Sequence, residues 1–246
     1  LDTLVGKILR IVPDLGERMT TSTVSENGRY RIPNDNPFTA IEGARKEIWA
    51  YGLRNPHRLL WDVDLARPVL SPVEGPATPV LFAFNIGLTA WETVVIIRKG
   101  ANYGYSLREG TQMMSPDGMS AVPENDVIPV QISDTVTRGT VKPTYPVIQY
   151  PHTVASGGDA IAGGFIYRGS RIPALRGKFV FGDITTGRMW FAELADVLAA
   201  DDGNAATVAE TYEIDAGLRR IVEDTYRARG GRGEQLPGTA AVSGRG

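Results

Sequence analysis

Arg54 and Asn55, set in the run EIWAYGLRNPHR (47–58), are the residues whose types and spacing most suit chemistry. A short strand-like run, Ile48 to Tyr51, ends in Gly52 and then in a turn that carries the pair. Pro56 has no backbone donor and biases Asn55 toward an extended shape, so the turn is stiff. A guanidinium and a carboxamide are thereby presented together at the mouth of a sheet, where both can face a ligand. A solvated arginine at a strand end fits the same pattern, and the residues alone leave both readings open. Other chemistries find no footing. The chain has no cysteine, which excludes a thiolate nucleophile, a thiolate metal site and a disulfide scaffold. It also lacks GxSxG, HExxH, a P-loop, and a GxGxxG that follows a strand and opens a helix.

The elements that must position such a pair read as strands. With 28 glycines and 16 prolines in 246 residues, the chain suits many short strands and turns better than a helical bundle. Strand candidates lie at 6–13, 47–51, 58–63, 79–86, 92–98, 144–150, 160–168, 177–183 and 188–194, each bounded by Gly, Pro, Asn or Asp. Between them lie a polar insert (14–31) and a stretch without clear period (108–143), read as a long surface excursion. Helical spacing is confined to 193–200 and 218–229, and the glycine-rich end beyond reads as loose. The pattern predicts an all-β sandwich, barrel or propeller over 1–215, then a short helix and flexible tail over 216–246. The 26 basic and 28 acidic residues nearly cancel, which argues against nucleic acid or an anionic membrane as partner. No window approaches the roughly 18 apolar residues of a membrane span. The first residue is Leu1, and neither end looks like a natural domain edge, so a processed or partial chain is expected.

Five segments occur together in one order: GKILRI, IPNDNPF, EIWAYGLRNPHR, NIGLTAWETVVIIRKGANYGY, and the pair GGFIYRG and GKFVFGD with GRMW. In this they resemble the glucose/sorbosone dehydrogenase family, over roughly residues 4 to 194. The resemblance implies a six-bladed β-propeller, of which this chain would hold about four blades at about 40–50 residues each. It also implies a periplasmic or extracellular quinoprotein that oxidises an aldose sugar to its lactone. Its cofactors would be pyrroloquinoline quinone (PQQ) and calcium, and its electrons would leave to an external acceptor.

By that resemblance Arg54 and Asn55 fall on the pair that contacts the quinone, where a fixed cationic fork suits oxygens that gain charge on reduction. Arg168, in FIYRG, would add a second basic group near the cofactor, or lie on the surface. Gly87, Glu92 and Tyr103 would supply calcium ligands through a carbonyl, a carboxylate and a carbonyl or ring oxygen. The alternative for that region is a tight turn at Asn102–Gly104 and a strand-end charge at Glu92. The segment departs from the family, whose members read close to ADVGQNAWEE where this chain has FNIGLTAWET: Asn85, Leu88 and Thr93 replace a carboxylate, a glutamine and a glutamate. Asp183 is expected to fix a turn, and His57 to pack or cap. His152, in YPHT, is either a surface or supporting group or a base at the channel mouth. The family's catalytic histidine comes from a segment with no counterpart here, so the base is expected from outside this chain. A propeller that lost the chemistry and docks a protein partner is the other reading, favoured by these departures. A calcium-dependent lactonase is a third, for which the metal carboxylates are not evident.

Overall fold

The computed structural model describes residues 1–62, 79–153, 157–214, 224 and 227–230. Its architecture is all-β, of the β-propeller type. Two four-stranded antiparallel sheets dominate it. In the first, the strand order is Ile148–Pro151, Trp91–Ile96, Val80–Ile86, Asn55–Asp62. The second is a simple meander of Ile161–Ile166, Phe179–Asp183, Met189–Ala192 and Tyr212–Glu213.

Alternation along the strands explains how these sheets pack. Phe82, Phe84, Val94 and Ile96 face a core shared with Phe179, Phe181 and Trp190 of the second sheet. Phe179 lies 5.0 Å from Phe82 and 5.8 Å from Phe84, ring centre to ring centre. The intervening residues Ala83, Val95 and Ile97 point the other way, into a second core with Ile8, Ala50, Leu53 and Tyr103. A sheet covered on both faces needs unbroken apolar strands, and Trp91–Ile96 is buried almost throughout.

Register defines two ends of the sheets. Asn55 pairs with Ile86 and Pro151 with Trp91, so all four lie at what is here termed the upper end. Asp62 pairs with Val80 at the lower end. The excursion 108–143 is more ordered than its lack of period predicts. It carries a three-stranded sheet (Arg108–Glu109, Gln112–Ser115, Gly118–Ala121) and a hairpin of Ile128–Gln131 with Thr137–Val141. The polar insert likewise ends in a short strand, Ser22–Val24, paired with Arg31–Pro33. One short helix, Leu194–Ala199, falls where the spacing predicts it. The helix and tail expected over 216–246 lie almost entirely outside the described residues. Among the described residues no helix is long and apolar enough to cross a membrane.

Candidate functional site

At the upper end, the structure brings four of the sequence-predicted residues into one hydrogen-bonded chain: Arg54, Gly87, Glu92 and His152. Arg54 leaves Leu53, which is buried in the second core, and enters the strand Asn55–Asp62 half-buried. Its Nη1 donates to the Gly87 carbonyl at 2.5 Å and reaches the Ile86 carbonyl at 3.5 Å. The Nε and Nη2 groups of Arg54 have no hydrogen-bond partner among the described residues. The guanidinium is thus pinned through one nitrogen, with its bidentate Nε–Nη2 edge left over. Asn55 is exposed, and its backbone N–H donates to Asn85 Oδ1 at 3.0 Å. Asn85, the residue that departs from the family pattern, therefore acts as a local tie for the turn.

The turn joining strands Val80–Ile86 and Trp91–Ile96 is gripped from both sides. Gly87 N–H donates to Glu92 Oε1 at 3.1 Å. The N–H groups of Leu88, Thr89, Ala90 and Trp91 all donate to the Glu109 carboxylate, at 2.8, 3.0, 2.6 and 3.0 Å. Only glycine fits at 87, because a Cβ there would collide with the Trp91 carbonyl. Burial would raise the Glu109 pKa, yet the four backbone N–H bonds outweigh it and hold the group below its ordinary value.

Glu92 is fully buried. Its Oε1 also receives His152 Nε2 at 2.6 Å, and its Oε2 receives the Ile161 N–H at 2.8 Å, which ties the first sheet to the second. His152 is fixed further by its own backbone N–H, which donates to the Ala90 carbonyl at 2.9 Å. Its Nδ1 lies 3.9 Å from Asp159 Oδ1. Burial pulls the His152 pKa down, but the Glu92 hydrogen bond and the charges of Glu92, Glu109 and Asp159 prevail and raise it. An imidazole with a carboxylate on either side holds its proton. This suits His152 to pairing with Glu92 through Nε2, which is also how a carboxylate orients a histidine base, so the supporting and the catalytic readings share this geometry.

Three expectations are corrected. Arg168 does not join Arg54: its Nη2 lies 2.5 Å from Asp62 Oδ1, at the lower end of the strand that Asn55 begins. Seven residue steps separate Asn55 from Asp62, roughly 23 Å, so the two arginines cannot hold one small ligand. Tyr103 does not join Glu92 through its ring oxygen. That oxygen donates to the Ile96 carbonyl at 2.7 Å and accepts the Arg98 N–H at 3.0 Å, inside the second core. With the Gly87 carbonyl facing a guanidinium and the Glu92 oxygens filled by three donors, Gly87, Glu92 and Tyr103 do not fit a calcium ion. Among the described residues no group of three His, Asp or Glu side chains is placed to hold a metal. His57 neither packs nor caps and is exposed on its strand.

Asp183 fixes a turn as expected. It accepts from the N–H and hydroxyl groups of Thr185 and Thr186, from the N–H groups of Asp159 and Ala160, and from the Tyr150 hydroxyl. Sequence reasoning missed Glu109, Arg58 and Arg188. The two arginines line a cleft of about 450 Å³ between the sheets, with Phe84, Gly163, Gly164 and Asp183. Gly163 has φ +131°, and a Cβ there would stand 3.1 Å from the Arg58 stem, so the glycine makes room for the arginine. The signal for Arg188 was its place after a glycine turn at the same sheet end as Asp183. For Glu109, in LREG, no spacing signal existed.

Comparison with known proteins identifies the family. The profile of the Glucose / Sorbosone dehydrogenase family matches residues 1–225. The HIPL2 protein of Arabidopsis thaliana is 33% identical over 196 residues, which are 77% of this chain and 24% of that protein. The HIPL1 protein of the same plant is 31% identical over 76% of this chain and 24% of its own length. The chain thus spans about a quarter of these relatives. The aldose sugar dehydrogenase YliI of Escherichia coli is 34% identical over 107 residues, 44% of this chain and 21% of that protein. Among solved structures, the soluble aldose sugar dehydrogenase from Escherichia coli in its apo-form superposes with a TM-score of 0.51. It is 20% identical and covers 89% of this chain and 47% of that one, a likeness of fold. By its profile match along nearly the whole described length, the chain belongs to the glucose/sorbosone dehydrogenase family.

Proposed function

We propose that this chain forms the quinone-facing part of a PQQ-dependent dehydrogenase that oxidises an aldose to its lactone and passes electrons to an external acceptor. The observation that carries the reading is Arg54, pinned by Nη1 to Gly87 and presenting its Nε–Nη2 edge. That edge is a planar, permanently charged fork that matches a pair of quinone or carboxylate oxygens. Asn55, exposed beside it, offers an amide that both donates and accepts. These two residues fit the cofactor; when bound, PQQ supplies the two-electron acceptor for sugar oxidation. The work of this chain is to hold positive charge at a fixed point, where developing negative charge is stabilised without reorganisation. On the family reading, the proton of the sugar hydroxyl goes to a base supplied from outside this chain. A periplasmic or extracellular site of action follows from the same family reading.

PQQ added to the purified chain and followed by its absorbance tests the proposal. Arg54→Ala should weaken binding about tenfold to a hundredfold and lower the thermal midpoint only by the loss of its bond to the Gly87 carbonyl. A wild-type chain that binds no PQQ defeats the reading. That result would favour a propeller that docks a protein partner, the alternative supported by the closure of Gly87 and Glu92 on Arg54 and His152. Turnover itself belongs to the full-length protein, assayed by dye reduction with glucose.

A further inference from the structure

We propose that Glu109 is the positioning residue of this site: it fixes the turn 87–91 and, through Gly87, the aim of the Arg54 guanidinium. The consequence for the quinone rests on the reading above; the effect on the turn does not. Five consecutive amides, 87 to 91, lie where one strand ends at Ile86 and the next begins at Trp91. None of the five is paired within the sheet, so each needs another acceptor. Glu92 takes the first, and Glu109 takes the remaining four. Oε1 of Glu109 receives residues 89, 90 and 91, while Oε2 receives 88 and shares 89. A carboxylate has about four acceptor positions, so the turn fills it.

Neighbouring residues hold Glu109 in place. Arg108, the residue before it, is buried in a bidentate pair with Asp126, which also accepts the Tyr145 hydroxyl at 2.6 Å. Gly110, with φ +60°, leaves room for Trp91 and Gln149, and Trp91 Nε1 donates to Gln112 Oε1 at 2.6 Å. The segment 108–112 is therefore a clasp, and its carboxylate is the part that sets the turn. The opposite face of the turn carries the Gly87 carbonyl that Arg54 grips. A turn released from Glu109 would let that carbonyl rotate, and the guanidinium with it.

Glu109→Gln tests this, because glutamine keeps the shape but turns one acceptor into an N–H₂ facing donors. Hydrogen exchange should show amides 88–91 losing protection about tenfold or more, with the strand Val80–Ile86 unchanged. PQQ affinity should fall about tenfold in Glu109→Gln and recover partly in Glu109→Asp. If Glu109→Gln fails to fold, acidifying the wild type through the depressed Glu109 pKa should release the same four amides, along with those that Asp183 holds. Unchanged protection of 88–91 in the variant, or on acidification, overturns the proposal. Loss of affinity with protection intact also overturns it. Should the wild-type chain bind no PQQ, the dehydrogenase reading fails, while amide exchange still decides what Glu109 does to the turn.

Discussion

Replacing His152 by alanine removes the cation beside a fully buried carboxylate, Glu92. Stripping one partner from such a pair costs about 3–5 kcal/mol, which denaturant unfolding of His152→Ala will read. The sign with pH follows from the raised pKa of the folded state. Its contribution is complete below the unfolded value of about 6.5 and declines as pH rises through the folded one. The wild-type melting point should therefore fall on that alkaline side, and His152→Ala should lack the fall. Arg54 and Asn55 stood out in the sequence because a following proline stiffens the backbone, and the structure begins a strand at Asn55. It did not reveal what Glu92 and His152 do to one another, since 60 residues separate them. Arg168 was misplaced although the order held a clue. Asn55 begins its strand and Arg168 follows its own, and the register sets those two points at opposite ends.

At the scale of elements, turns at the upper end depend on a carboxylate and a glycine acting together. Asp183 gathers the 157–160 segment and the 184–186 turn, and its many donors hold its pKa below the ordinary value despite burial. Gly158 lies against that carboxylate, where a Cβ would overlap it. Gly158→Ala should cost about 1–3 kcal/mol in equilibrium unfolding, and Gly177→Ala, with open space around its Cα, serves as the comparison for a strained φ alone. Among the strands that were legible are ones with apolar runs of four or more residues, as in Val80–Ile86 and Met189–Ala192. Those of the excursion were not, because pairs such as Arg108–Glu109 are too short and too polar to show a period. What orders them is a buried Arg108–Asp126–Tyr145 cluster that spans 37 residues, beyond the reach of local pattern.

For the whole molecule, glycine and proline content pointed to an all-β chain, and two-sided burial of the first sheet made its strands apolar enough to recognise. Register between the sheets, which creates the site, is set by Glu92 reaching Ile161 across 69 residues, and no single-strand pattern records that. Glu109, Asp126 and Asp183 are among the buried carboxylates whose pKa values folding lowers. Their stabilisation is present above the unfolded values near 4 and is lost as pH falls through the folded ones. A melting-temperature profile should therefore hold level between about pH 4 and 6.5 and drop on both sides; a flat acid limb would contradict the three placements.

Trp91 closes the turn and bonds Gln112 through its indole N–H. Indole emission shifts in colour with the polarity around the ring, so the chain carries a native fluorophore within the segment that aims Arg54. The other three tryptophans, Trp49, Trp61 and Trp190, emit as well, Trp61 against solvent and Trp190 from the core. A disturbance of the turn is thus readable, in unlabelled protein, as the part of the emission that Trp91→Phe removes.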